Sequence, residues 1–284
     1  MKATHPVWAV LIVLVATPTQ VFAAGALTLV FLDARSPVYL PVAATVTTLM
    51  SLGLVHLIRR FLGRQSWRGV RLTRTWRAVP HLLAGLLAGA VAVIAANALS
   101  VALGVATPKP WWDAVGPQLP YILLNVAIAL LGQAFPEELL WRGHLFDTLS
   151  GRLSSRAVLI VVSVCFGALH IISRSAADTP AERLLYVLHA IALGFACAAA
   201  RARTGAVWMA VGVHTGYHTS YIVLPTEDVQ YGVQLVIQAC ALAVPGLLLL
   251  ARRRGGHTPS LSGGDPTSIR GRGGQPSPSW RRGR

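Results

Sequence analysis

The sequence has little charge and very little acidic charge. Of its 284 residues only 12% are charged, and only 10 are aspartate or glutamate. This composition excludes an ordinary soluble domain, and outside the C-terminal residues the longest polar stretch, 59–78, is too short to build a core. A hydrophobic fraction of 54% and a mean hydropathy of +0.57 indicate a polytopic membrane protein instead.

Cysteine is also scarce, with three residues in the whole chain. Cys165, Cys197 and Cys240 all fall inside apolar runs, are odd in number and lack metal-ligand spacing. The pattern excludes a disulfide framework, and we predict that the three are small core residues.

Long apolar runs are abundant, and each is of the length that a transmembrane helix needs. We mark eight, at roughly 8–32, 38–58, 79–105, 119–149, 157–172, 183–200, 205–222 and 230–251. The predicted fold class is therefore an all-α polytopic membrane protein with about eight transmembrane helices.

Arginine is concentrated in two places, since 15 of the 23 arginines lie in residues 59–77 and 252–284. Although the net charge is +15, clusters that flank apolar runs indicate cytoplasmic segments facing anionic lipid, and we predict no nucleic-acid partner. Alternate connections carry fewer bases, so both termini are predicted to be cytoplasmic. The preference for arginine over lysine, with abundant alanine and glycine, suggests GC-rich codons and hence a bacterial plasma membrane.

The chain divides into four regions. Residues 1–118 hold N-terminal transmembrane helices and the basic cytoplasmic loop, and residues 119–222 form the region whose bounds are set by the family resemblance described below. Residues 223–251 form the last transmembrane helix. Residues 252–284, rich in Gly, Ser, Pro and Arg, are predicted to be a disordered basic tail.

Three charged residues lie within the fourth apolar run. Glu137, Glu138 and Arg142 are costly to bury in lipid, and such residues usually serve a function. Glu138 and Arg142 are four residues apart on one helix face and can pair. Glu137 has no base three or four residues away, so it is free for chemistry.

Histidines follow on the next apolar runs. His170 ends the fifth run, while His214 and His218 share one face of the seventh. Counted at about 1.5 Å per residue from the cytoplasmic helix ends, Glu137, His170 and His214 lie at a common depth of roughly 14–20 Å. The shared depth predicts one intramembrane site.

These residues resemble a known family. The string Glu137-Glu138-Leu-Leu-Trp-Arg142, then Phe166-x-x-x-His170, then His214, is similar to the CPBP intramembrane glutamic endopeptidases, which include the type II CAAX prenyl endopeptidases and the Abi proteins. The likeness covers residues 119–222. It implies an eight-helix fold with an active-site cavity that opens to the cytoplasm.

The resemblance also implies roles for the site residues. Glu137 would be the general base for a water that attacks a peptide carbonyl, and His170 would help to hold that water. Glu138 would pair with Arg142, and His214 would donate a hydrogen bond to the oxyanion. The family usually has Asn or Asp four residues after this histidine, where this chain has His218.

Elementary chemistry agrees with hydrolysis by activated water. A carboxylate in a low-dielectric cavity is a better base than an exposed one, and no Ser or Cys lies in a Gly-x-Ser-x-Gly context. We predict a peptidase without cofactor or metal, acting on a membrane-associated peptide or protein.

Two alternatives stay open. A carboxylate and three histidines are also able to hold Zn²⁺ in a metalloprotease, although no His-Glu-x-x-His string occurs. A non-catalytic transporter or immunity protein is the other alternative, although matched broken helices, which are typical of transporters, are not evident. Whether a substrate is prenylated does not follow from the sequence.

Overall fold

The structure, a computed structural model, describes residues 5–251 of the chain, which are mostly helical. The predicted disordered tail, residues 252–284, lies outside the described residues. The α-helices are α1 Pro6–Phe31, α2 Tyr39–Leu57, α3 Ala78–Ala102, α4 Trp111–Val115, α5 Ile122–Ala129, α6 Phe135–Glu138, α7 Phe146–Ser150, α8 Ser155–Leu169, α9 Pro180–Thr204, α10 Trp208–Thr219 and α11 Tyr231–Ala251. Turns of 3-10 helix cover Trp67–Val70, Gly116–Tyr121, His170–Ile172 and Ser220–Ile222, and π-helical turns cover Ile58–Leu62, Leu130–Ala134 and Leu139–Leu145.

Seven helical segments within residues 5–251 are long and apolar enough to cross a membrane, by length and composition. The prediction of an all-α polytopic membrane protein is confirmed. The remaining predicted span, 205–222, is the 12-residue helix α10 with a 3-10 turn at its end. Helix α10 begins only at Trp208, after the predicted start at residue 205, because Gly205, in the left-handed conformation at φ +70°, ends α9. Since the middle of α10 is buried, this helix is packed among the longer ones.

The fourth predicted span is part of one helical segment, Trp111–Ser150, of 40 residues. Two π-helical turns interrupt it, one on each side of α6. Pro136 lies between them. Proline has no backbone N–H to donate to the preceding turn, and its ring would clash with that turn in a regular α-helix. Such π-turns are frequent at functional sites, and here they flank Glu137 and Glu138.

Helices α3 and α10 are in backbone contact through glycines on both sides. A Cβ added at Gly212 or Gly216 would lie 2.1 or 2.2 Å from a carbonyl oxygen of α3. A Cβ added at Gly85 or Gly89 would lie equally close to carbonyl oxygens of α10. Two reciprocal Gly-x-x-x-Gly pairs therefore let the helices approach closely, as in many membrane proteins, and they fix the helix that carries His214.

The bundle has two ends of different charge. The connections 58–77, 151–154 and 205–207 form one end, which we call the arginine face, and an Arg59–Asp147 ion pair of 2.8 Å fastens the first of them to α7. The other end, the opposite face, is formed by 32–38, 103–110, 173–179 and 223–230. There β1 Thr107–Pro108 pairs antiparallel with β2 Thr226–Glu227.

Candidate active site

A buried network surrounds Glu138. Its Oε1 accepts hydrogen bonds from Arg142 Nη1 and from His214 Nδ1, both at 2.9 Å. Arg142 Nη2 donates to the carbonyl oxygen of Gly194 at 2.6 Å, and the guanidinium carbon lies 4.5 Å from the centre of the Phe166 ring. Glu138 and Arg142 form the ion pair that their spacing predicts, and both are fully buried. We call Glu138, Arg142, His214 and the Gly194 carbonyl the Glu138 network.

Glu137 faces away from this network into a cavity of about 530 Å³. Its Oε2 is buried and has no hydrogen-bond partner within residues 5–251. His170, Gln133, Tyr186 and Arg174 also line this space, which we call the Glu137 cavity. A buried carboxylate oxygen without a partner is uncommon in folded proteins. Glu138 Oε2 is also unpartnered, but only Glu137 lines the cavity, so the Glu137 carboxylate is the one available to a water or a substrate.

His170 is oriented by a backbone contact. Its Nδ1 lies 2.9 Å from the carbonyl oxygen of Phe166, one turn earlier. Because a carbonyl only accepts, Nδ1 carries the proton, and Nε2 of the neutral ring is left as an acceptor. The imidazole packs against the Phe166 ring at 4.8 Å and the Tyr186 ring at 5.9 Å, measured between ring centres.

His214 lies behind the cavity. Among the residues that the structure describes as lining the Glu137 cavity, neither His214 nor His218 occurs. The two rings stack at 5.0 Å between centres, and Nε2 of His218 is buried without a partner inside the described range. By the same argument as for His170, the Glu138 carboxylate fixes the proton of His214 on Nδ1. A neutral His214 then has no proton on Nε2.

The structure thus separates the predicted residues into two groups. Glu137 and His170 share the cavity, whereas Glu138, Arg142 and His214 form the network behind it, with Phe166 touching both groups. A row of rings from Tyr186 through His189 and Tyr217 to His218 joins the cavity wall to His214, with centres 4.8 to 6.3 Å apart.

Several wall residues escape the sequence analysis. Tyr186 carries a hydroxyl in the same cavity as Glu137, and Pro18 and Phe22 of α1 contribute to the wall from outside residues 119–222. Tyr186 lies sixteen residues after His170 in another apolar run, where a tyrosine is an ordinary packing residue. Gly194 gives no sequence signal either, although a Cβ there would lie 3.2 Å from Arg142 Nη2.

One group of side chains is close enough together to hold a metal ion. Ligand atoms of Glu138, Cys197 and His214 lie within 4.8 Å of one another. However, Glu138 Oε1 already accepts hydrogen bonds from Arg142 and His214, so a cation bound there would lie beside a guanidinium. Cys197 is buried as predicted and Cys165 is half-buried, whereas Cys240 is exposed, so the prediction of a core position is wrong for Cys240.

The fold and the site together define a multi-pass membrane protein whose helices enclose a carboxylate, an imidazole and a cavity. Residues 119–220 match the family model described as Rce1-like, type II CAAX prenyl endopeptidase. The match confirms, over these residues, the resemblance that the motifs carry to the type II CAAX prenyl endopeptidases. The curated proteins include no match to the chain.

Proposed function

We propose that the protein is an intramembrane endopeptidase in which Glu137 and His170 activate a water. The observation that carries the proposal is Glu137 on the wall of a cavity shared with His170, with no ion-pair partner among the described residues and with its Oε2 buried and not hydrogen-bonded. One water can donate one hydrogen to this carboxylate and the other to Nε2 of His170, and it then directs a lone pair at a peptide carbonyl.

The reaction follows from these contacts. As the water oxygen bonds to the carbonyl carbon, its proton passes to Glu137. The tetrahedral intermediate then expels the amine while Glu137 returns the proton to the leaving nitrogen. No covalent enzyme intermediate is needed, which agrees with the lack of an activated serine or cysteine in the motifs.

The oxyanion needs hydrogen-bond donors on the cavity wall. The Tyr186 hydroxyl and the Gln133 amide lie there and make no hydrogen bond to the described residues. His214, with its proton held by Glu138, donates through Nε2 only as an imidazolium, which the Glu138 carboxylate would stabilise. We therefore propose Tyr186 and Gln133 as donors, and we assign His214 and His218 as positioning residues.

The Glu138 network supports the reaction indirectly. It joins the segment that carries Glu137 to α9 through Gly194 and to α10 through His214. A buried pair that is hydrogen-bonded to two further helices holds them in one arrangement, so Glu138 and Arg142 position the base rather than act on the substrate.

The Glu137 cavity lies toward the opposite face. Its lining includes Ser173 and Arg174, which belong to the connection 173–179, and His170 is about 22 Å along α8 from its end at the arginine face. The arginine face and the cavity opening are at different ends of the bundle. If the arginines face the cytoplasm, the cavity therefore cannot open to the cytoplasm, and only one of these two predictions can hold.

We propose that the arginine bias sets the orientation, because seven arginines and no acid occupy residues 59–77. Both termini are then cytoplasmic, and the cavity opens away from the cytoplasm. An apolar groove beside it, with Pro18, Phe22, Leu169 and Ile172, provides a lateral entrance from lipid. The substrate class that fits is a membrane-embedded segment or its non-cytoplasmic flank, and a cytosolic prenylated C-terminus does not fit.

Cysteine labelling tests the orientation without any assay of proteolysis. In a chain whose native cysteines are replaced by alanine, Arg174→Cys should react with a membrane-impermeant maleimide in intact cells. Arg74→Cys, on the arginine face, should react only after permeabilisation. The reverse labelling pattern would show that the cavity opens to the cytoplasm, and it would not affect the catalytic assignment.

Comparative membrane proteomics tests the activity itself. Peptides produced in cells with the wild-type protein should disappear in cells with Glu137→Gln at equal expression. Cleavage that depends on added zinc after complete metal stripping would instead favour the metalloprotease alternative. A cellular phenotype that persists with Glu137→Gln would favour a transporter or immunity protein.

A further inference from the structure

A second cavity, of about 730 Å³, lies at the arginine face and shares no lining residue with the Glu137 cavity. It is bounded by the connection that precedes α3, by α7 and by the turn between α9 and α10. We call it the arginine cavity and define it by its charged and aromatic wall residues, Arg71, Trp76, Arg77, His81, Asp147 and Arg201.

Arg201 is the buried member of this wall. The residue is only 7% exposed, its Nε donates to the carbonyl oxygen of Arg142 at 3.0 Å, and its guanidinium carbon lies 5.2 Å from the Phe146 ring centre. Its two Nη groups form no hydrogen bond or ion pair with any residue from 5 to 251. Asp147 is close enough to act on this charge but forms no ion pair with it. Because a buried guanidinium with unused donors is unfavourable, these donors are suited to an anion in the cavity.

The surrounding charges point the same way. Arg71 and Arg77 are exposed, line the cavity, and make no ion pair inside the described part of the chain. Asp147 is the one carboxylate on this wall, and its Oδ2 is engaged by Arg59 at 2.8 Å. The cavity therefore presents three guanidinium groups against a single carboxylate that is already paired.

Trp76 indicates the level of the membrane at which the cavity lies. Its side chain is 77% exposed and stands under the Arg77 guanidinium, 5.6 Å from the ring centre. Exposed tryptophans at helix ends are typical of the headgroup layer. The loop that holds Trp76 is also the most arginine-rich in the described structure, and such loops contact anionic lipid.

We propose that the arginine cavity is a binding site for a phosphate group, supplied by the headgroup of an anionic phospholipid. Guanidinium groups bind phosphate oxygens through paired, charge-assisted hydrogen bonds. A soluble phosphate compound has the same binding chemistry, and the experiment separates the two sources. Because Arg201 also holds the backbone of Arg142, an occupant would be one residue away from the Glu138 network. The site does not depend on the proposed proteolytic activity.

The test uses the purified full chain in zwitterionic detergent and measures thermal unfolding. Phosphatidylglycerol should raise the midpoint of wild type by about 5 °C when the lipid is well above its dissociation constant, whereas phosphatidylcholine should not. The Arg71→Gln/Arg77→Gln variant removes two exposed guanidiniums and leaves the buried Arg201 in place, so it should fold and should lose most of the shift.

The charge-matched control is Arg60→Gln/Arg68→Gln, since both residues are exposed and lie outside the cavity wall. It should keep the wild-type shift, and native mass spectrometry should find phosphatidylglycerol retained by this control but not by the cavity variant. Stabilisation by inorganic phosphate equal to that by the lipid would overturn the headgroup as the source. Equal losses in both variants, or no shift in wild type, would overturn the site.

Discussion

The Glu138 network and the Glu137 cavity begin at adjacent residues and have opposite properties. In the network Glu138 Oε1 and both Arg142 Nη groups are hydrogen-bonded, and the helices are joined through those contacts, although Glu138 Oε2 and Arg142 Nε are buried without a partner among the described residues. The cavity is lined by Glu137, whose buried Oε2 has no hydrogen-bond partner among the described residues, and by His170 and Tyr186. The difference teaches that burial of a charge in a membrane protein has two distinct meanings. A charge that is paired across helices holds the fold, and a charge on a cavity wall without an ion-pair partner is available to a ligand.

Apart from loss of the base Glu137 itself, the largest effect that we expect in the cavity comes from His170. Replacement by phenylalanine removes the acceptor for water and keeps a ring, so the cleavage rate should fall about 100-fold to 10,000-fold. His56→Phe is the matched control because His56 is exposed on α2 and far from the cavity wall. Rates measured on a peptide found by the proteomic comparison check this. A similar loss in both variants would show a general perturbation of the bundle.

The largest effect in the network comes from breaking the buried ion pair. Glu138→Leu or Arg142→Leu leaves an unpaired buried charge and should lower the free energy of unfolding by about 3–5 kcal/mol, and the double replacement should recover part of that loss. Lys109→Leu breaks an exposed pair with Glu227, at 3.8 Å, and should change it by less than about 1 kcal/mol. Strictly additive losses for Glu138 and Arg142 would contradict the partnership.

Next in size is the contact that holds α10. Gly212→Ala adds a Cβ 2.1 Å from a carbonyl oxygen of α3, so the helices must separate. We expect a loss of about 1–3 kcal/mol in the free energy of unfolding. Gly53→Ala on α2 meets nothing within 4 Å and should be neutral or slightly stabilising. Equal stability of the two variants in thermal unfolding would show that the close approach is unimportant.

The smallest effect concerns the proposed oxyanion donor. Tyr186→Phe removes one hydroxyl from the cavity wall and should slow cleavage about tenfold, as expected for one hydrogen bond, with little change in thermal stability. Tyr121→Phe, at an exposed tyrosine outside the cavity, should leave the rate unchanged. A full rate in Tyr186→Phe would remove this residue from the reaction.

Much of this division was predictable from the sequence. Apolar run lengths gave the helical membrane fold, and the four-residue spacing of Glu138 and Arg142 gave their ion pair. The contact between Glu138 and His214 was not predictable, because the spacing of residues within one helix does not determine which helices are in contact. The π-helical turns on both sides of Pro136 were not predictable either, because the spacing argument assumes a regular α-helix.

Which residues line the cavity, and the direction in which it opens, could also be found only from the three-dimensional structure. Depth counted along separate helices placed Glu137, His170 and His214 at one level, yet only the first two share the cavity. Arg201 shows the same limit, since in the sequence it is a loop arginine, whereas in the fold it is buried against Phe146.

One paired measurement tests the central claim that Glu137 acts on substrate while Glu138 holds the fold. Glu137→Gln and Glu138→Gln are made in the purified protein, and cleavage rate and unfolding temperature are recorded for both. The account predicts that Glu137→Gln abolishes cleavage with an unchanged unfolding temperature, and that Glu138→Gln lowers the unfolding temperature by several degrees. Retained cleavage by Glu137→Gln, or an equal loss of stability in both variants, would contradict it.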